Sequence, residues 1–230
     1  MSLLVENVSY TWTFRGGRKT ALESIQADFA AGVPHLLCGP SGSGKSTLGY
    51  LLSGLMTADV GRILLDGEDM LHCRTRAAHV FQSAETIFFE DTLAAELEQL
   101  SNGHGALDMT WFERFGLSVE DFAPKHPFHL SAGYGRLWAT AMQLARNPQV
   151  LVLDEPTIGL DWSFQRRMLD AVKSWINPER TLIVITHDLD VMRELGGHAW
   201  VLEEGRLAWN GGTTHLLADH TLLEAYALAE

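Results

Sequence analysis

Three short stretches of this chain are apolar without alternation: HLLC at 35–38, VLVLD at 150–154 and TLIVITHD at 181–188. A strand with one face in water alternates polar and apolar side chains; a strand covered on both faces does not. Each stretch is followed by residues of helical period, as in TLGYLLSGL after the first. The pattern predicts an α/β fold with a mostly parallel core sheet. LLVENVSY and ESIQADFA, near the start, are of mixed polarity and predict a small antiparallel β flank. GRILLDGEDM reads as a strand with a turn at Asp66 and Gly67, and AHVFQ at 78–82 as a further core strand. From about 85 to 146 the period becomes helical, in DTLAAELEQL, MTWFERFGL and GRLWATAMQLAR. The expected organisation is one domain over 1–230, with an α/β core from 1–84 and 147–230 and a helical subdomain at 85–146 between its halves. The tail, TTHLLADHTLLEAYALAE, reads as one or two short helices.

Composition narrows the functional classes. The 230 residues are 46% apolar and 20% charged, ordinary for a globular chain and enough to bury a full core. With 17 Lys+Arg against 29 Asp+Glu, the net charge of -12 argues against a general nucleic-acid-binding surface. Cys38 and Cys73 lack metal-ligand spacing, and Cys38 reads as buried filler at the end of a core strand. A reducing cytosolic compartment is expected. The start has no signal-peptide pattern, and no run of about 18 apolar residues predicts a membrane span.

Candidate chemistry concentrates at the ends of the apolar strands. Gly39, Pro40, Ser41, Gly42, Ser43, Gly44, Lys45, Ser46 and Thr47 spell GPSGSGKST, the pattern G-x-x-x-x-G-K-[ST] between a strand and a helix. Glycines let the backbone curl so that N–H groups face phosphate oxygens, and the following helix adds its positive end. Lys45 is placed to reach the β- and γ-phosphates, and the Ser46 hydroxyl to ligate Mg²⁺. The motif predicts a nucleoside triphosphate as ligand. In open α/β sheets ligands sit beyond the carboxyl ends of the strands. There Asp154 is a candidate Mg²⁺ ligand, Glu155 a carboxylate to polarise water, and Gln82 an uncharged metal ligand. His187 ends the third stretch and is a candidate contact for the γ-phosphate and the water.

Leu130 to Tyr134 reads LSAGY, followed by GRLWATAMQLARNPQVLVLDEPTIGLD. This resembles the signature helix, Walker B strand and D-loop of ATP-binding-cassette (ABC) ATPases, whose usual form is LSGGQ, LARAL and LDEPT. With GPSGSGKST, VFQ and the histidine, the resemblance spans nearly the whole chain. It implies a P-loop NTPase of the ABC type that binds ATP and Mg²⁺. Lys45, Glu155 as general base and His187 would be catalytic; Ser46, Gln82 and Asp154 would hold the metal. Trp12 would stack on adenine, with Tyr10 the poorer candidate because it falls in the strand. Asp161 would be the D-loop acid. Ser131, Gly133 and Tyr134 would act in trans on ATP held by a second ABC ATPase domain, a copy or a paralogue. Ala132 and Tyr134 depart from the usual Gly and Gln; a positive φ at 132 would cost an alanine about 1–2 kcal/mol.

SAETIFFEDTLAAEL, PTIGLDW and GGTTHLLADHTLLEAYAL are similar to stretches of energy-coupling-factor importers of metal ions and vitamins. The resemblance implies a transmembrane subunit docked near Gln82 and the helical subdomain, and a cytoplasmic position on the inner face of the membrane. Phe88 and Phe89 suit either that surface or local core. Alternatives are a soluble non-transport ABC ATPase and a weakly hydrolysing partner in a heterodimer.

Overall fold

The computed structural model describes residues 2–228, the side chains of Ala84 and Glu85 excepted. The mixed-polarity start forms a long hairpin, β1 (Ser2–Phe14) and β2 (Gly17–Ala30). The first apolar stretch is β3 (Pro34–Cys38), followed by β4 (Val60–Leu65), the short β5 (Glu68–Asp69) and β6 (Ala77–Val80). The other two stretches are β7 (Val150–Asp154) and β8 (Thr181–Ile185). Two further strands, β9 (His198–Glu203) and β10 (Arg206–Gly212), were not anticipated from the sequence. A four-stranded antiparallel sheet has the order β2-β1-β4-β5, and a six-stranded sheet the order β10-β9-β3-β8-β7-β6. In the larger sheet β9, β3, β8, β7 and β6 are mutually parallel, and β10 returns antiparallel along β9.

The larger sheet explains the unbroken apolar runs. Leu36, Leu151, Leu153, Leu182 and Val184 face one core cluster, which includes Trp138 and Trp175. Their neighbours Leu37, Val150, Val152, Ile183 and Ile185 face the other, shared with the antiparallel flank. Both faces are covered, so alternation disappears.

Helix α1 (Lys45–Leu52) follows β3 and lays Leu48, Leu51 and Leu52 on the second cluster. The helical stretch contains α2 (Leu93–His104), α3 (Thr110–Arg114), α4 (Val119–Phe122) and α5 (Ala132–Ala145). Thr92 caps α2 by accepting from the Ala95 N–H at 3.2 Å. On α5 every residue from Leu137 to Ala145 is buried, so this helix spans the interior between the sheet and α3. Helices α6 (Trp162–Trp175) and α7 (Leu189–Leu195) follow β7 and β8. The tail forms α8 (Thr213–Ala218) and α9 (His220–Ala225), two short helices where one or two were expected, with Ala229 and Glu230 outside the described residues. Among the described residues no helix is long and apolar enough to cross a membrane.

Candidate functional site

The segment between β3 and α1 curls at the carboxyl end of the sheet. Gly39 has φ 130°, and a Cβ there would overlap the Leu202 carbonyl of β9, so no side chain fits. Helix α1 starts behind Gly44 with no side-chain cap, leaving its first N–H groups for an anion. Lys45 Nζ arches over the loop and donates to the Gly39 and Pro40 carbonyls, each at 2.8 Å. Burial pulls its ammonium below the usual lysine value, against the attraction of Glu155, Cys38 and Asp154.

Asp154 closes β7 and is buried. Burial raises its carboxyl above the usual aspartate value and Glu155 adds to this, while the Ser46 hydroxyl and Lys45 oppose it. Glu155 follows with φ 48°, the left-handed region that costs an L-residue about 1–2 kcal/mol. Its N–H donates to the Ile185 carbonyl at 2.8 Å, and its carbonyl accepts from Arg136 Nη1 at 3.0 Å. The carboxylate stands 2.6 Å from His187 Nδ1 and accepts from Thr186 Oγ1 at 3.3 Å. A carboxylate only accepts, so Nδ1 carries the proton of that contact.

A cleft of about 610 Å³ brings together Trp12, Gly39, Pro40, Ser41, Gly42, Gly44, Lys45, Ser46, Thr47, Gln82, Asp154, Glu155 and His187. Ser43 is different: it is buried, with its Oγ 3.5 Å from Lys45 Nζ, and does not line the cleft. The expected contrast between Trp12 and Tyr10 needs correction. Strand β1 runs through Phe14, so both residues lie in it. Trp12 lines the cleft, whereas Tyr10 packs edge-on against it at 5.1 Å and leans on the core. Lys19, the cross-strand neighbour of Trp12, also lines the cleft, as do Ala21, Ile185 and Ala227. None of these four was found from sequence; the hairpin register, which placed Lys19, is not visible in a local motif.

Ser131, Gly133 and Tyr134 are not among the residues of this cleft. Ser131 caps α5, accepting from the Tyr134 N–H. Ala132 is the first residue of α5 and lacks a positive φ, so its methyl brings no backbone strain. A Cβ at Gly133 would stand 3.1 Å from the Phe164 ring, which explains a glycine there. The Tyr134 ring packs between Phe122 and Phe164, at 5.1 and 5.0 Å. Asp161 caps α6; the Phe164 N–H and the Ser163 contacts hold its carboxyl below the usual value.

Arg136, which sequence reasoning missed, ties these parts together. Besides Glu155 it donates to the Ile158 carbonyl at 2.7 Å and the Gln82 carbonyl at 2.6 Å. Beyond Gln82 a second cleft of about 520 Å³ is lined by Ile87, Phe89, Glu96, Leu100 and Arg146, among others. The aromatic pair divides: Phe88 is core at 6% exposure, and Phe89 is 80% exposed at this cleft. The buried Glu96 carboxylate organises the segment by accepting from the Phe89 and Glu90 N–H groups.

Ser46, Gln82 and Asp154 present hydroxyl, amide and carboxylate oxygens, the hard donors that Mg²⁺ takes. No cluster of three or more His, Cys, Asp or Glu that could hold a metal occurs among the described residues. In its chemistry this donor set fits Mg²⁺.

Comparison with known proteins gives the family. Residues 22–158 match the family described as ABC transporter. The energy-coupling factor transporter ATP-binding protein EcfA2 of Symbiobacterium thermophilum is 33% identical over 222 residues, 90% of this chain and 77% of that protein. The EcfA2 of Lactobacillus acidophilus is 29% identical over 247 residues, 100% of this chain and 86% of that protein. Among solved structures, the dimeric ATP-binding cassette MJ0796 with ADP and Pi has a TM-score of 0.80 at 25% identity, covering 93% of this chain and 99% of that one. The cbiO1 of Clostridium perfringens, part of the complex cbiONQ, gives 0.77 at 25% identity over 98% and 94%. With a matched family spanning more than half of its length, this chain belongs to the ABC transporter ATP-binding subunits, which bind and hydrolyse ATP.

Proposed function

We propose that this chain powers an importer of the energy-coupling-factor type, coupling ATP-driven closure and reopening of a cassette pair to uptake of a metal ion or vitamin. The observation that carries the pairing of cassettes is the division of the site. The phosphate loop, Asp154, Glu155 and His187 share one cleft, while Ser131, Gly133 and Tyr134 lie outside it. A cassette so divided is complete when a second cassette presents its own 131–134 segment to the cleft.

In this reading Trp12 stacks on adenine, and the N–H groups of Gly42 and of Gly44 to Thr47 hold the phosphate oxygens. Lys45 leaves the Gly39 and Pro40 carbonyls for the β- and γ-phosphates. Ser46, Gln82 and Asp154 hold Mg²⁺, which supplies charge neutralisation at the phosphates. Glu155, aimed by its own backbone and by Thr186, accepts the proton of the attacking water. His187 holds the carboxylate and offers its other ring nitrogen toward the γ-phosphate. The cleft beside Gln82, with Phe89 at its edge, receives a segment of a transmembrane partner, and this keeps the subunit on the inner membrane face. The EcfA2 relatives and the cbiO1 neighbour support the choice of transporter class.

The test is co-purification of the Glu155→Gln chain, tagged and trapped with Mg-ATP, from its own detergent-solubilised membranes. A polytopic membrane protein released when Phe89→Asp is introduced supports the reading. Recovery of only itself or of a soluble complex refutes the transporter role. ATP binding unaffected by Lys45→Ala refutes the nucleotide site.

A further inference from the structure

Trp12 Nε1 donates to Thr47 Oγ1 at 3.2 Å across the cleft. An indole nitrogen is a donor only, so the Thr47 oxygen accepts, and the proton of its own hydroxyl remains to be placed. A helical hydroxyl can spend that proton on the carbonyl four residues back, as Thr140 does on Arg136. The equivalent carbonyl for Thr47 is Ser43, which accepts from the Gly205 N–H at 3.0 Å. Thr47 is nonetheless nearly buried and lines the cleft.

We propose that Trp12 is a positioning residue as well as a stacking surface: its indole N–H fixes the Thr47 hydroxyl so that the hydroxyl proton meets the α-phosphate of the nucleotide. The inference rests on the ATP-site reading above. The triphosphate runs from the Lys45, Glu155 and His187 end of the cleft toward Trp12. The phosphate beside Thr47, on the first turn of α1 and next to the base-stacking ring, is therefore the α-phosphate. The indole is held for this task. Tyr10 packs edge-on against it, and β2 pairs with its backbone at Lys19. Phenylalanine would stack equally well and leave the Thr47 rotor undirected. In tyrosine the donor sits at the far end of the ring.

The experiment measures dissociation constants for ATP and for the two diastereomers of ATPαS, in which sulfur, a weak acceptor, replaces one α-oxygen. The proteins are the original chain, Trp12→Phe, Thr47→Val, the double variant and Thr47→Ser, each checked for native circular dichroism. The original chain and Thr47→Ser should distinguish the diastereomers, and Trp12→Phe and Thr47→Val should not. Each of these single changes should weaken ATP binding roughly tenfold, the worth of one charge-assisted hydrogen bond, and the double variant no more than either. Losses that multiply, or a Trp12→Phe chain that still distinguishes the diastereomers, overturn the proposal. Lys45→Ala separates this from failure of the ATP site itself. If that variant binds ATP normally the site is wrong; if it loses ATP while the losses multiply, only the role of Trp12 is wrong.

Discussion

Replacing Glu155 by alanine and by glycine isolates the strain at the centre of the site. Both variants lose the carboxylate, its contact with His187 and Thr186, and its repulsion of Asp154, so these contributions cancel between them. What remains is one Cβ at φ 48°. Relieving a left-handed L-residue is worth about 1–2 kcal/mol. Glycine returns about 0.5–1 kcal/mol of that through the greater freedom of its unfolded chain. The glycine variant should therefore be the more stable by about 0.5–1 kcal/mol, or about 2 °C in melting temperature for a chain of this size. At an ordinary φ the sign is opposite, because alanine is then preferred by about 0.5–1 kcal/mol. Urea unfolding of the two variants side by side gives the difference without reference to the original chain. Turnover should fall by about 10²–10⁴-fold in both, the usual contribution of a general base. An alanine variant as stable as the glycine variant would refute the claim that the backbone at 155 is strained to aim the carboxylate.

Arg136→Lys keeps the charge and loses the fork that reaches the Gln82, Glu155 and Ile158 carbonyls. It should cost about 1–3 kcal/mol by urea unfolding and slow turnover; unchanged values for both would mean that water serves those carbonyls as well. Burial takes the His79 imidazole down to about 4, so between pH 6.5 and 4 the unfolded chain binds a proton that the folded chain refuses. Stability is thereby lost as pH falls through that window, by about 3 kcal/mol at its lower end. His79→Leu should flatten the slope of stability against pH there, and an unaltered slope would sink the argument. Burial pushes the Cys38 thiol up to about 12, and Cys73 is buried too. Neither should exchange with a disulfide reagent at pH 8 until denaturant is added; rapid labelling of the native chain would contradict their burial.

The parts of the fold that were legible in the sequence are those whose environment is uniform along the chain. Strands β3, β7 and β8 are covered on both faces, and residues 39–47 have a local pattern imposed by phosphate chemistry. Strand β9 was missed although it lies inside the sheet, because its AWVL core, as short as HLLC, has no phosphate-loop motif behind it and abuts the polar turn at Glu204 and Gly205. Strand β10 was missed because it is an edge strand whose residues alternate between exposed and half-buried. In the site, the residues with fixed spacing from a motif were found. Those brought in by register or by a long side chain were not, Lys19 through the hairpin and Arg136 through its reach from α5. Thr186 stood one residue before a flagged histidine and was passed over because its part is to hold another side chain. The division of Phe88 from Phe89 needed the fold, since adjacent residues in a loop carry no periodicity.

The position of β3 between β8 and β9 sets a schedule for the protein's birth. The strand that carries the phosphate loop is made long before its partners, which begin at Thr181 and His198. At roughly 5–20 residues per second, the segment ending at Cys38 waits on the order of 10–30 s for the chain that will flank it. During that interval an apolar strand has no sheet to join, and the Leu202 carbonyl that backs Gly39 does not yet exist. A nascent chain halted before residue 198 should therefore be unable to hold ATP, and nucleotide cannot guide the early steps of folding. The stretch most recognisable in the sequence therefore becomes functional only once a strand beginning as far along the chain as His198 has been made.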